Sequence, residues 1–252
     1  MKIPGSLVAV LGAVGLCTIG ALAQAPPQAP PATMTQQQIN EEMLKELRQI
    51  RQLLERITQP QQAAAPAQPA TAKITNLKGF VMGRPDAPLT MIEFTDLQCP
   101  FCRQYATVTF DEIKRNWIDT GRLRYISRDF PLDFHPQAMP AARAARCAGE
   151  QGKFWELRMQ LMRNAHLLSP DYISKTAADL KLDSKAFASC IASTKFDGEI
   201  QADMQEGARI AITGTPTFVI GKTTASAVEG PVIVGAMPYV QFDAKLKDVL
   251  AK

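Results

Sequence analysis

The stretch "EFTDLQCPFCRQY", Glu93 to Tyr105, sets two cysteines three positions apart where an apolar run gives way to a helix-like segment. Such a C-x-x-C pair serves as a metal clip, a structural staple or a reaction centre, and its surroundings decide which. A structural zinc site takes about four ligands, usually two such pairs or one pair with histidines. The chain holds 2 histidines, His135 and His166, without H-x-x-x-H spacing, and haem attachment would require histidine where Arg103 stands. No metal site and no cofactor is therefore expected. Upstream, "LTMIEFTD" has the apolar character of a buried strand, and downstream "PFCRQYATVTFDEIKRNWIDTG" reads as a helix ending at Gly121. Cys99 then falls at a helix N-terminus, where free backbone N–H groups and the positive end of the helix dipole favour a thiolate. The thiolate is the attacking and leaving form in disulfide exchange. Pro100 suits the first turn, because its missing N–H has no partner to lose. Cys102, one turn further in, is better shielded and suits the resolving role.

Working outward, "RLRYISRDFP" alternates as a strand, and the chain from about residue 135 to 212 is almost wholly helical in pattern. "TPTFVIG" and "PVIVGA" supply two more strands, and "MPYVQFDAKLKDVLAK" a closing helix. Strand, helix, strand, helical block, two strands and helix predict an α/β domain over residues 74–252 with a helical insertion at about 135–212.

Ahead of this domain the composition changes twice. Residues 1–23 combine a short basic start, an apolar run from Leu7 to Ile19 and the small residues "ALA", the pattern of a cleaved secretory signal. The expected location is periplasmic or otherwise extracytoplasmic, soluble after cleavage. Residues 24–33 and 59–73 are rich in Pro, Ala and Gln and read as extended linkers. Between them, over residues 34–58, Met43, Leu47, Ile50, Leu54 and Ile57 recur in steps of four and three. That spacing predicts an amphipathic helix with a heptad seam, suited to joining copies of the chain in a parallel homo-oligomer. Folding back on its own domain is the alternative. The net charge of +4 is mild, and no lysine- and arginine-rich stripe with interleaved aromatics is present. Nucleic acid is not an expected partner.

"EFTDLQCPFC", "FPLDFHPQAMPAARAARCAGEQGKFWELRMQLM" and "GTPTFVIG" occur in this order, and together the chain from roughly Phe80 to Leu250 resembles the DsbA-like thiol-disulfide oxidoreductases. These are a branch of the thioredoxin superfamily with a helical insertion. The resemblance implies that Cys99 is the exposed reactive cysteine and Cys102 its buried partner. It implies too that Thr215-Pro216 forms a cis-proline loop beside them, offering main-chain pairing to a substrate strand. Glu93 stands where this family places a buried acid able to exchange a proton with Cys102; a solvated strand-end glutamate is the plainer alternative. Arg128 is a candidate counter-ion for Glu93. Phe101 departs from the histidine of the best-known member. It gives the Cys99 thiolate no hydrogen bond but offers clients an apolar surface. The implied partners are cysteine-containing or unfolded exported proteins and a membrane or soluble redox partner. Cys147 and Cys190 fall in helical patterns of the insertion, and a buried structural disulfide joining two insertion helices is expected, with a second redox pair or two free thiols as the alternatives. His135 is expected to cap or pack.

Overall fold

The structure, a computed structural model, describes residues 35–58 and 69–252 of the 252-residue chain. The expected signal and first linker lie outside the described residues, as does most of the second linker. The chain divides into two units, residues 1–63 and 64–252.

In the first unit, α1 (Gln36–Thr58) begins with a reciprocal cap. The Gln38 N–H donates to the Thr35 hydroxyl at 3.3 Å, and the Thr35 N–H donates to Gln38 Oε1 at 2.9 Å. This satisfies donors that the first turn leaves free. Ile39, Met43, Leu44, Leu47, Ile50 and Leu53 are all exposed along it. The side chains of Leu54 and Ile57, also assigned to the seam, lie outside the described residues.

The second unit is built on a six-stranded sheet in the order β1-β6-β5-β3-β4-β2. The strands are β1 (Thr71–Ile74), β2 (Phe80–Met82), β3 (Leu89–Thr95), β4 (Leu123–Asp129), β5 (Thr217–Lys222) and β6 (Val228–Val234). β3 and β4 run parallel and the other pairings are antiparallel. β3 is buried at every position, because helices cover both faces of the sheet at its centre. Its alternate residues divide between two cores. Leu89 and Met91 pack with Trp117, Phe218, Phe242 and Leu246, whereas Ile92 and Phe94 pack with Ile126, Phe130, Ile210 and Ile212. β1 begins at Thr71, inside the stretch read as linker and three residues ahead of the expected domain start at 74. β1 and β2 have only 4 and 3 residues, too short for a period of two to stand out.

The segment after Cys99 runs as α2 (Pro100–Gln104), a π-helical turn (Tyr105–Thr109), α3 (Phe110–Ile113) and a second π-helical turn (Lys114–Ile118). It stops where Gly121 takes φ +75°, with its N–H bonded to the Ile118 carbonyl. The insertion comprises α4 (Ala138–Gly149), α5 (Phe154–Arg163), α6 (Pro170–Asp179), α7 (Ser184–Ser193) and α8 (Asp197–Arg209), close to the expected span. α9 (Tyr239–Ala251) closes the fold against β5. A buried ionic cluster clips the insertion to the sheet. Arg146 on α4 reaches Asp129 on β4 and Asp203 on α8, both at 2.6 Å, and Arg128 on β4 also bonds Asp203.

Candidate active site

The site begins where β3 ends. Asp96 follows the strand, and the chain turns so that the Cys99 N–H donates both to the Asp96 carbonyl (3.1 Å) and to Asp96 Oδ1 (3.2 Å). Cys99 is the N-cap of α2: its backbone is extended, and its carbonyl accepts from the Arg103 N–H at 3.0 Å. This gives the Pro100 ring a place in the first turn, as the sequence predicts. The Cys99 sulfur faces the Thr215 carbonyl at 3.4 Å, and the Thr215–Pro216 bond is cis. Phe101 is 60 % exposed beside the pair, whereas Cys99 is 3 % exposed and Cys102 fully buried. Cys99 is thus less open than its assignment as the exposed cysteine implies.

The two thiols are unjoined and ionise at well-separated points. Cys99 is brought down to about 6, first by its hydrogen bond with the Cys102 side chain; burial opposes the shift. The Thr215 side chain and the backbone N–H groups of Cys102 and Phe101 lower it further. The helix N-terminus therefore contributes as the sequence suggests, but the neighbouring sulfur contributes more. Cys102 is pushed well above the ordinary thiol range by burial, then by its bond to Cys99 and the charges of Cys99 and Glu93. A thiol pair divided in this way has one ready nucleophile and one sulfur that holds its proton.

Glu93 lies fully buried on β3, on the same side as Met91 and Leu89. Its Oε2 accepts from the Tyr125 hydroxyl and from Arg158 Nη2. The Tyr125 and Tyr105 phenols are held well above their usual range, first by burial and then by the Glu93 charge, so both keep their protons. Among the described residues, Glu93 Oε1, the Tyr105 hydroxyl and Arg158 Nε have no hydrogen-bond partner. The solvated strand-end alternative for Glu93 is thereby excluded.

Arg128 is not its counter-ion. In the parallel β3–β4 register Glu93 pairs with Ser127 and Phe94 with Arg128, so Arg128 projects to the opposite face of the sheet. There it bonds Asp203 and packs over Phe94. Arg158, from α5, takes the role instead, and nothing in the strand pattern pointed to a residue 65 positions away.

Cys147 and Cys190 are joined, with Cα atoms 5.8 Å apart, linking α4 to α7. His135 Nδ1 lies 2.7 Å from Asp96 Oδ2, so this histidine does pack, against a buried carboxylate of the cysteine turn. Sequence reasoning passed over Asp96. Its signal was an Asp just past a strand and three residues before a helix N-cap, where Asp is a favoured turn former. Among the described residues no cluster of three or more His, Cys, Asp and Glu is arranged to hold a metal ion.

A parallel–antiparallel sheet covered on both faces, a helical insertion, a cysteine pair at a helix start and a cis-proline opposite it define a thioredoxin-fold protein of DsbA-like architecture. The chain belongs to the thioredoxin family, whose model, described as "Thioredoxin", matches residues 75–231, and it is a DsbA-like member. It is similar to the solved structure of α-DsbA1 from Wolbachia pipientis, with 26% identity and TM-score 0.62, covering 68% of this chain and 90% of that one. BdbD from Bacillus subtilis shares the fold at 21% identity and TM-score 0.59, with 68% and 92% covered. Among curated relatives, Na(+)/H(+) antiporter NhaA 3 of Salinispora tropica is 35% identical over 144 residues, which is 57% of this chain and 22% of that protein. Na(+)/H(+) antiporter NhaA 1 of Mycolicibacterium gilvum is 36% identical over 149 residues, 58% of this chain and 24% of that protein. The chain thus spans less than a quarter of the length of either relative.

Proposed function

We propose that this protein is an exported thiol-disulfide oxidoreductase that forms disulfides in cysteine-containing client proteins through Cys99 and Cys102. The observation that carries this reading is the split between the thiols: Cys99 ionises near 6 while Cys102 stays protonated. A stabilised Cys99 thiolate favours the reduced pair, which makes the oxidised pair a ready oxidant.

In the forward direction a client thiolate attacks the Cys99 sulfur of the oxidised pair. The Cys99–Cys102 bond breaks, and Cys102 departs with the electron pair and takes up a proton. A second client thiolate then attacks the client sulfur of the mixed disulfide, and Cys99 leaves as thiolate. The client loses two electrons and two protons, the enzyme is left reduced, and a membrane or soluble redox partner must reoxidise it. Glu93, whose charge acts on Cys102 from below, is the group assigned to proton exchange there. Thr215 and Pro216 are assigned to pairing with the client backbone, and Pro100 and Phe101 to apolar contact with it.

The six exposed apolar residues from Ile39 to Leu53 favour a second reading. If residues 34–58 hold copies of the chain together, paired sites suit disulfide isomerisation, which starts from the reduced enzyme. A client-holding scaffold without chemistry is the third reading. Assays with reduced and with scrambled ribonuclease, using the full chain and a form lacking residues 34–58, separate these. Oxidation of the reduced substrate by both forms supports the oxidase. Rescue of the scrambled substrate by the full chain alone supports the isomerase. No exchange by either form, and none lost on replacing Cys99 and Cys102 by Ser, supports the scaffold.

A further inference from the structure

Behind the cysteine turn lies a second set of contacts that the exchange mechanism does not use. The Asp96 side chain is fully buried. Its Oδ1 accepts from the N–H groups of Gln98 (2.7 Å) and Cys99 (3.2 Å), and its Oδ2 accepts from the N–H of Leu132 at 2.9 Å. His135 Nδ1 is 2.7 Å from the same Oδ2. Both oxygens thus accept from backbone N–H groups, a setting that suits a carboxylate and not an amide, whose NH₂ would meet another N–H, and a carboxylate there selects the His135 tautomer that donates from Nδ1. The Asp96 N–H meanwhile points at the Cys102 sulfur at 3.5 Å. One residue therefore touches both halves of the C-x-x-C turn and the segment after β4, and the Gln137 N–H to Gln98 Oε1 bond (2.7 Å) repeats the tie.

We propose that Asp96, gripped by His135, is a positioning residue that fixes the Cys99 turn and moderates the oxidising power of the cysteine pair. Two physical effects act together. The carboxylate occupies the Gln98 and Cys99 N–H groups at the start of α2, leaving the N–H groups of Phe101 and Cys102 to serve the sulfur. It also holds a negative charge against the backbone N–H of Cys99, the residue whose sulfur must become negative, and like charges at short range oppose ionisation. The His135 donor on Oδ2 draws part of that charge away from Cys99. Among the described residues, Cys102 on α2 interacts directly with Cys99, and the charges of Glu93 of β3 and Arg158 of α5 act on Cys102. Thr215, on the side of the cis-proline, carries no charge.

This inference rests on the oxidoreductase reading, but its test does not need catalysis. The reduced full-length protein is titrated by its ultraviolet thiolate absorbance, and the pair is equilibrated with glutathione. Asp96→Asn is expected to lower the Cys99 midpoint, by up to about one unit or tenfold in the ionisation constant, and to shift the glutathione equilibrium towards the reduced pair. His135→Ala is expected to do the opposite, because Asp96 then keeps its charge without that donor. His135→Asn, which returns a donor near the Nδ1 position, is expected to restore the wild-type midpoint. A purely structural role would move both ends of the brace in one direction, towards an ordinary thiol. Overturning results are an unchanged or raised midpoint in folded Asp96→Asn, or a His135→Ala midpoint that does not rise or that His135→Asn fails to restore. Should Asp96→Asn not fold, the two His135 variants decide alone. An absence of client oxidation by the wild type would count against the function, while the titration would still judge the brace.

Discussion

Cys99 and Cys102 share one apolar cluster with Cys147 and Cys190, all four buried, yet the two pairs stand at different places on their helices. Cys147 and Cys190 sit within α4 and α7, where the backbone N–H groups are already committed to carbonyls of the preceding turn. There the sulfurs are joined. Cys99 sits at a helix start, where Phe101 and Cys102 still have N–H groups to offer and where a second thiol is in reach. Apolar burial is common to both pairs and does not separate them. A Cys99 thiolate held first by the Cys102 thiol, and then by the free donors at the beginning of a helix, does.

The sharpest way to break this contrast is to remove one sulfur from each pair. Cys99→Ser is expected to abolish exchange, and Cys102→Ser to accumulate mixed disulfides with clients, detected as reductant-sensitive adducts on gels. The double change Cys147→Ser and Cys190→Ser is expected to leave exchange in place while lowering stability. Its loop spans 43 positions, worth about 4 kcal/mol in the chain-entropy view, read as a lower denaturant midpoint. Graded reductant should likewise open the Cys99–Cys102 bond first. If both pairs opened together, or if the double change ended exchange in a folded protein, the division between working and structural pairs would fail.

A smaller effect is expected beneath the active pair. Arg158→Met removes the cationic partner of the buried Glu93 carboxyl, which should cost about 3 kcal/mol. Arg128→Met should not alter the Cys102 side of the sheet, since Arg128 faces the other core. Urea melts of both variants, with exchange rates measured in parallel, check the assignment.

That assignment shows where sequence reading stops. The C-x-x-C at a strand-to-helix junction, the Thr215-Pro216 loop, the insertion and the buried Glu93 were all legible, because each depends on local pattern or on three matching segments. The counter-ion was not. Choosing between Arg128 and Arg158 requires the β3–β4 register, and a shift of one position exchanges the two faces of a strand. Asp96 was missed for a related reason: its partners at Leu132 and His135 are brought near by β4, and neither stands close in sequence. β1 went unseen because only its pairing with β6 separates "TAKI" from the linker before it.

The pH response is subtler again. Cys99 ionises near 6 in the folded chain but near 8.5 in an unfolded one. Its folded value is depressed, so the stability it adds to the reduced protein is complete above the unfolded value and is lost as pH falls through about 6. Relative to Cys99→Ser, the reduced protein should therefore gain stability as pH rises from about 6 to about 8.5, as measured by thermal melts. The smallest change is expected from Phe101→His. An imidazole beside the sulfur supplies a donor that Phe101 lacks, and the Cys99 midpoint should drop modestly without loss of fold.

The central claim, that the fold lets Cys99 ionise early while Cys102 does not, is tested most directly by one titration. Thiolate absorbance of the reduced protein, compared with Cys99→Ser, isolates the Cys99 transition. The account predicts a midpoint near 6 that vanishes in the variant, with Cys102 silent throughout that range. A midpoint close to that of cysteine in a loose peptide, about 8.5, would contradict it.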